Sequence, residues 1–421
     1  MDIFSQTNYH FIGIGGIGIS AIARMLVLAG KNVSGSDNSR SEITDDLEKL
    51  GIKVTIGQKA QNIGENTEVA VYTIAIPPDN PEMQEARKRE KERKILCLSY
   101  PETLGELTKE KYTIAIAGTH GKTTTTAMVA HIMQKAGLDP TVIVGSKILT
   151  DNKDQNSNFK KGESEYLVVE ACEYKRSFLN LSPKILVITN IEPDHLDYYK
   201  DLEDIKSAFA ELKSKVPADG FVITEAEYKE VKPDFELLVP GEHNISNAQA
   251  AIAAVEKIGI TNQKAKEFLK DFRGTWRRLE YKGEKAGRIF YDDYAHHPTE
   301  IKASLSALRE KYPDRELVCV FQPHQQERTK IFFDEFVKAL SLADTVFVTP
   351  IFMAREKPDT TISNKILAEA VNKFVPAETV ENVEELILLT PFTLKGDPNK
   401  NFCIVMMGAG DIYKWTPKLI E

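Results

Sequence analysis

YTIAIAGTHGKTTTT, residues 112–126, runs an apolar stretch into a glycine loop and then into a threonine-rich helical start. Tyr112 to Ala117 have the length and apolar character of a buried strand. The loop that follows, Gly118-Thr119-His120-Gly121-Lys122-Thr123-Thr124, has G-x-x-G-K-T spacing, shorter between its glycines than the common phosphate-binding loop. Backbone N–H groups in such a loop cradle phosphates, Lys122 reaches the β- and γ-phosphates, and the Thr123 hydroxyl ligates Mg²⁺. A bare G-K-T arises easily by chance. Set between this strand and this helix, it predicts an ATP-type site in a mostly parallel α/β sheet.

Two further strand ends point to the same place. Glu170 closes the run YLVVE, and Asn190-Ile191-Glu192-Pro193-Asp194-His195-Leu196-Asp197 follows ILVIT. Residues just past the C-terminal ends of parallel strands converge on the ligand crevice, so Glu170 and His195 are placed to complete a metal site. Near the N-terminus, Gly13-Ile14-Gly15-Gly16-Ile17-Gly18 forms a G-x-G-x-x-G between an apolar run and a helical pattern. Asp37 ends the next predicted strand, where a carboxylate accepts a ribose hydroxyl. That pair suits any nucleotide with a diphosphate. Of the eight histidines, six lie in motif-like loops: His120, His195, His243, His296, His297 and His324. His131 falls inside a predicted helix and reads as packing or surface, and His10 as a neighbour of the first glycine turn. In the last third, Asp292-Asp293-Tyr294-Ala295-His296-His297-Pro298 and Gln322 to Thr329 (QPHQQERT) both follow strands. Two polar loops of this kind suit a small zwitterion and developing charge.

The rest of the 421 residues fit this reading. Apolar residues at 42%, charged residues at 28% and a net charge of −8 exclude fibrous and low-complexity chains and argue against a nucleic-acid binder. Four scattered cysteines form no C-x-x-C, so neither a disulfide framework nor a zinc knuckle is expected, and a reducing cytoplasm is the default. Phe11 to Gly30 is apolar but broken by glycines and Arg24, so no membrane insertion is expected. Glu82 to Lys94 (EMQEARKREKERK) alternates acids and bases at helical spacing and reads as a solvated helix face. A polar linker is expected near Glu106–Lys111 and a second boundary near Phe272–Arg278.

The ordered set GTHGKTTTT, NIEPDHLDYY, PG-x-HN-x-x-NA over 240–248, DDYAHHPTEIKA and QPH-x-x-x-RT resembles the Mur ligases. The N-terminal HFIGIGGIGISAIA and SGSD runs and the late Gly408-Ala409-Gly410-Asp411-Ile412 match too, so the likeness covers nearly the whole chain. It implies three consecutive α/β domains: Rossmann-like over 1–108, P-loop ATPase-like over 109–274 and Rossmann-like over 275–421. It also implies ATP-dependent amide synthesis through an acyl phosphate, joining L-alanine to the lactyl carboxylate of UDP-N-acetylmuramate. By this resemblance Gly13, Gly15, Gly16, Gly18, Asp37, Thr73 and Arg278 meet the UDP-sugar, with Thr73 in the segment 72–82 that matches a loop near the uridine. Gly118, Thr119, His120, Gly121, Lys122, Thr123, Thr124, His243, Asn244 and Asn247 meet ATP. Thr123, Glu170 and His195 hold magnesium, and Tyr294, His296 and His297 the amino acid. Lys122, His195, His324 and Arg328 form the catalytic set, and the chain is expected as a monomer or homodimer.

Three departures stand out. Where the family's form reads EADESDGSF, residues 170–178 read EACEYKRSF; Gln325 stands where Arg is common; and the segment between Tyr199 and Pro240 is short. The EY-x-x-x-F form resembles the murein-tripeptide ligase of the same family, and the altered loop leaves open a nucleotide-binding protein with impaired catalysis. A nicotinamide-dependent oxidoreductase explains the first glycine loop but neither 118–126 nor 190–197.

Overall fold

The computed structural model describes residues 3–150, 156–196, 198–353, 359–389 and 401–420. These form three α/β sheets in succession. The first holds β1 (Asn8–Ile12), β2 (Asn32–Asp37), β3 (Lys53–Ile56), β4 (Val69–Tyr72) and β5 (Leu96–Ser99) in the order β3-β2-β1-β4-β5, all parallel. Strand order reverses at β1, so the loops after β1 and β4 face one crevice.

The second sheet holds β6 (Tyr112–Ala117), β7 (Thr141–Ile148), β8 (Ser157–Lys160), β9 (Tyr166–Glu170), β10 (Ile185–Ile188) and β11 (Phe221–Ile223), ordered β11-β10-β6-β9-β7-β8. β6 lies between β9 and β10, both parallel to it, which brings the loops after all three together. Ile114 to Ala117 and Ile185 to Val187 are fully buried, as expected where helices cover both faces. Only β8 runs antiparallel here. Its Asn158 side chain donates to the Ile17 carbonyl and, at 3.2 Å, to Ser20 Oγ, fastening the second sheet to the helix Ile17–Leu28 of the first.

The third sheet holds β12 (Glu280–Lys285), β13 (Arg288–Asp293), β14 (Glu316–Phe321), β15 (Thr345–Val348), β16 (Ala377–Thr379) and β17 (Phe402–Met407), ordered β12-β13-β17-β14-β15-β16. Along β14, Leu317, Cys319 and Phe321 enter one buried cluster while Val318 and Val320 enter another. Period-2 alternation therefore feeds a core on each face. The chain divides into two compact units, Met1–Glu236 with Ser246–Phe272, and Leu237–Ile245 with Arg273–Glu421. No helix among the described residues is long and apolar enough to cross a membrane.

Two local expectations change. Glu106–Lys109, read as linker, is the last turn of the helix Tyr100–Lys109, with Leu107 and Thr108 buried. The helix Pro81–Lys91 is charged along most of its surface, but Glu82 is completely buried. His10 lies in β1, the strand that leads into the glycine turn, where it is buried and faces Glu82.

The third sheet's strand ends are tied by Arg277, whose guanidinium is 3% exposed. It donates to the carbonyls of Gly410 (3.0 Å) and Gly408, and lies 4.5 Å over the Tyr413 ring. Removing it strands two buried carbonyls. Arg277→Ala is expected to lower unfolding free energy by about 3 kcal/mol in urea titration, and Lys there to recover less than half, since one ammonium cannot reproduce the planar fork.

Candidate active site

The glycine loop after β6 takes the shape its glycines permit. Gly118 and Gly121 have φ of 136° and 82°, a region costly for residues with a side chain. A Cβ on Gly118 would strike Thr189 Oγ1, and one on Gly121 would strike Asn247 Oδ1. The loop is thus packed against the segment after β10 and the helix Glu242–Glu256. The His120 N–H donates to Asn190 Oδ1 at 2.8 Å, the Thr189 hydroxyl to the His120 carbonyl at 2.5 Å, and the Glu192 N–H to Thr119 Oγ1 at 2.9 Å. The Thr189–Glu192 segment therefore sets the loop's path. Residue 197 of that motif lies outside the described residues.

Lys122 opens the helix Lys122–Lys135, and its Nζ turns back into the loop. It donates to Gly118 O (2.6 Å), Thr119 O (2.9 Å) and Glu173 Oε1 (3.0 Å). Glu173 is 3% exposed, and the same oxygen, Oε1, lies 3.6 Å from His195 Nε2. Burial pulls the Lys122 ammonium down, yet Glu173, then Cys172 and Glu170 beside it, together outweigh this and its pKa rises. Burial likewise pushes the Glu173 carboxyl up, and Lys122 and then His195 bring it net below the usual range. Both charges are therefore kept, each because of the other.

Glu170 forms a separate arm. The Thr123 hydroxyl donates to its Oε2 at 3.0 Å and the Gly145 N–H at 2.7 Å. The sequence placed Glu170 and His195 in one metal set with Thr123. Among the described residues, the carboxylates that gather with His195 are those of Glu173 and Asp194, one ligand atom of each lying within 4.8 Å of the others. These oxygens and one imidazole suit a hard divalent cation. Thr124 is buried in the first turn of the same helix.

The altered loop 172–176 now has a physical account. Lys175 and Arg176 sit at φ of 52° and 56°, where the family's form carries Asp-Gly, and His195 is at 53°. Left-handed conformations cost side-chain-bearing residues about 1 kcal/mol each. Arg176 pairs with Asp204 (2.6 Å) and Glu211 (3.4 Å), and the Tyr174 ring packs on His195 with centroids 4.9 Å apart. Glu173 lies within this loop and is buried.

At the first sheet, Gly16 caps the helix Ile17–Leu28, and the Gly18 backbone approaches the Tyr100 ring too closely for a side chain. The N–H groups of Gly13 and Ile14 both donate to Ser36 O at 2.9 Å, and that of Gly15 to Asp37 Oδ2 at 2.9 Å. Thr73, after β4, adjoins Gly13. The loop's first donors are thus spent within the protein, and Asp37 is an internal partner of the turn.

In the second unit, the loops after β13 and β14 bring Tyr294, His296, His324 and Arg328 together with Arg278. The His296 and His324 rings are 5.8 Å apart, His324 stacks on Phe352 at 5.6 Å, and Arg328 reaches His324 Nδ1 at 3.4 Å. Arg278 lies 5.1 Å over Tyr294 and 3.6 Å from Glu300, so its neighbours are the residues expected to meet the amino acid. His297 departs from expectation: it is buried and its Nδ1 accepts from the Thr299 N–H, making it the cap of the helix Pro298–Lys311. His243 and Asn244 fall in this unit, whereas Asn247 belongs with the glycine loop. Burial lowers His243 to about 4.

Family models for the Mur ligase family catalytic domain, middle domain and glutamate ligase domain match residues 8–112, 116–233 and 277–410. The UDP-N-acetylmuramate–L-alanine ligase of Clostridium acetobutylicum is 40% identical, covering 96% of this chain and 95% of its own. The chain belongs to the Mur ligase family. A second such ligase, from Caldanaerobacter subterraneus, is 36% identical over 100% of this chain and 99% of its own. Among solved Mur ligases, the UDP-N-acetylmuramate–alanine ligase of Thermotoga maritima superposes with TM-score 0.82 at 30% identity, covering 99% of this chain and 98% of its own. A murein peptide ligase from Psychrobacter arcticus shares the fold at TM-score 0.67 and 23% identity, over 98% of each chain.

The residue that sequence reasoning missed in this Mur ligase is Glu173. Its signal was present, since the fourth letter of EADESDGSF and EACEYKRSF is the same acid.

Burial, then Arg328 and Arg277, lower His324 to about 4. A histidine whose folded pKa lies below its unfolded value near 6.5 contributes stability above that pH, which is lost as pH falls toward 4. His324→Gln should therefore flatten the acid limb of stability between pH 6.5 and 4 by about 2 kcal/mol, read by urea titration across that range.

Proposed function

We propose that this Mur ligase joins L-alanine to the lactyl carboxylate of UDP-N-acetylmuramate, consuming ATP and releasing ADP and phosphate. The substrate reading is supported by full-length similarity to ligases of that name. The chemistry is carried by one observation, the line Lys122–Glu173–His195 on the loops after β6, β9 and β10, with the buried Glu173 at its centre. We assign UDP-sugar binding to residues 1–108, ATP to 109–274 and the amino acid to 275–421, in the cytoplasm.

A carboxylate attacking a γ-phosphate brings anions together, so positive charge must be held where the phosphoryl group moves. Lys122 supplies it, and Glu173 keeps that ammonium charged and aimed into the glycine loop. Mg²⁺, when bound, supplies further neutralisation, with Thr123, Glu170, His195 and the neighbouring Glu173 and Asp194 as the residues that would hold it. Attack by the lactyl carboxylate oxygen on phosphorus forms an acyl phosphate and expels ADP. The neutral amine of alanine then attacks the acyl carbon, and phosphate departs with that oxygen. In this reading His324, neutral above pH 4, and Arg328 act with Tyr294 and His296 to orient the amine and the amino-acid carboxylate.

Purified protein with UDP-N-acetylmuramate, ATP and Mg²⁺ should release phosphate when L-alanine is added. ATP binding without such release would contradict the proposal. Lys122→Ala should cut turnover by about 10³-fold or more while sugar-nucleotide binding stays within a few-fold, and Glu173→Gln should fall between it and wild type.

A further inference from the structure

The first sheet conceals two ionisable side chains that the proposed reaction does not use. Glu82, at the start of the helix Pro81–Lys91, is 0% exposed, and His10 in β1 is 1% exposed. Glu82 Oε2 accepts from the Ser36 hydroxyl, and its Oε1 accepts from Asn62 Nδ2 and lies 3.8 Å from His10 Nε2. His10 Nδ1 is 2.9 Å from Ser34 Oγ, while its Nε2 has no hydrogen bond. Asn80 Oδ1 caps the helix by accepting from the N–H groups of Glu82 and Met83, which fixes where the carboxylate enters.

An acid here is costly. A buried carboxylate forfeits several kcal/mol of hydration unless donors and charge compensate, and a leucine or glutamine would fill a core position more cheaply. What the acid grips is Ser36. The carbonyl of Ser36 takes the N–H groups of both Gly13 and Ile14, and the next residue, Asp37, takes that of Gly15. The N–H groups of Gly13, Ile14 and Gly15 are therefore all taken by residues 36 and 37.

We propose that Glu82, supported by His10, is a positioning residue for sugar-nucleotide binding: through Ser36 it fixes the glycine loop after β1 and the Asp37 carboxylate. The inference rests on the reading of 1–108 as the UDP-sugar domain. Glu82 touches neither the ligand nor the reacting atoms. It acts from beneath, by holding the end of β2 in register with the loop.

The test is calorimetric titration of the full chain with UDP-N-acetylmuramate and, separately, with ATP and Mg²⁺, alongside steady-state kinetics. Ser36→Ala, which keeps the carbonyl but removes the hydroxyl, and Glu82→Ala should each weaken sugar-nucleotide binding about tenfold. ATP affinity and kcat at saturating sugar nucleotide should stay within about twofold, and Glu82→Gln, which retains partners for Ser36 and Asn62, should recover most of the affinity. A general structural role would weaken both ligands together, and that result overturns the proposal. So does unchanged sugar-nucleotide affinity in Ser36→Ala, which remains informative if Glu82→Ala does not fold. Failure of the wild-type chain to bind UDP-N-acetylmuramate at all would instead sink the domain reading, and this inference with it.

Discussion

Burying a lysine ammonium at the root of a phosphate-binding loop creates a constraint that much of the central sheet answers. Lys122 is held by two carbonyls of its own loop and by Glu173, itself buried and also adjoined by His195. Neither charge is tenable alone in that environment. The loop after β9 must therefore deliver an acid to one spot, and it does so through two left-handed residues that small side chains would adopt more easily. The Tyr199 hydroxyl, bonded to the Glu173 carbonyl at 2.5 Å, braces the same backbone from beneath. Strain at 175, 176 and 195 is thus confined to the segments that carry the charges.

The same logic of charge placement recurs in the other sheets with different partners. In the first, a concealed carboxylate grips a serine whose carbonyl organises the glycine turn. In the third, a concealed guanidinium grips the carbonyls of Gly408 and Gly410 and leaves Arg278 beside Tyr294 and Glu300. In each case a buried ionisable side chain stands one step behind the more exposed groups.

This arrangement explains what the sequence disclosed and what it withheld. Parallel sheets gather the residues after strand ends, so spacing alone reads 118–123, 170 and 190–195 as neighbours. Glu173 was not, because its meaning is a pairing with Lys122 across the fold. Glu82 was hidden by its neighbours: a helix of alternating charges reads as solvated on average, and one buried member does not change the average. His297 looks like its neighbour His296 in sequence, yet one caps a helix and the other faces His324. β12 (EYKGEK) is a polar edge strand without an apolar signature, and the end of the helix Tyr100–Lys109 reads as linker because its exposed face is charged.

The central claim is that Lys122, held charged by Glu173, serves phosphoryl transfer onto a carboxylate, with an amine then displacing the phosphate. Oxygen bookkeeping tests it most directly. With both lactyl carboxylate oxygens of UDP-N-acetylmuramate labelled with ¹⁸O, turnover with ATP and L-alanine should place one labelled oxygen in each phosphate released, seen by mass spectrometry or ³¹P NMR. Phosphate released without label would mean that the carboxylate never bonded to phosphorus, and would contradict the account.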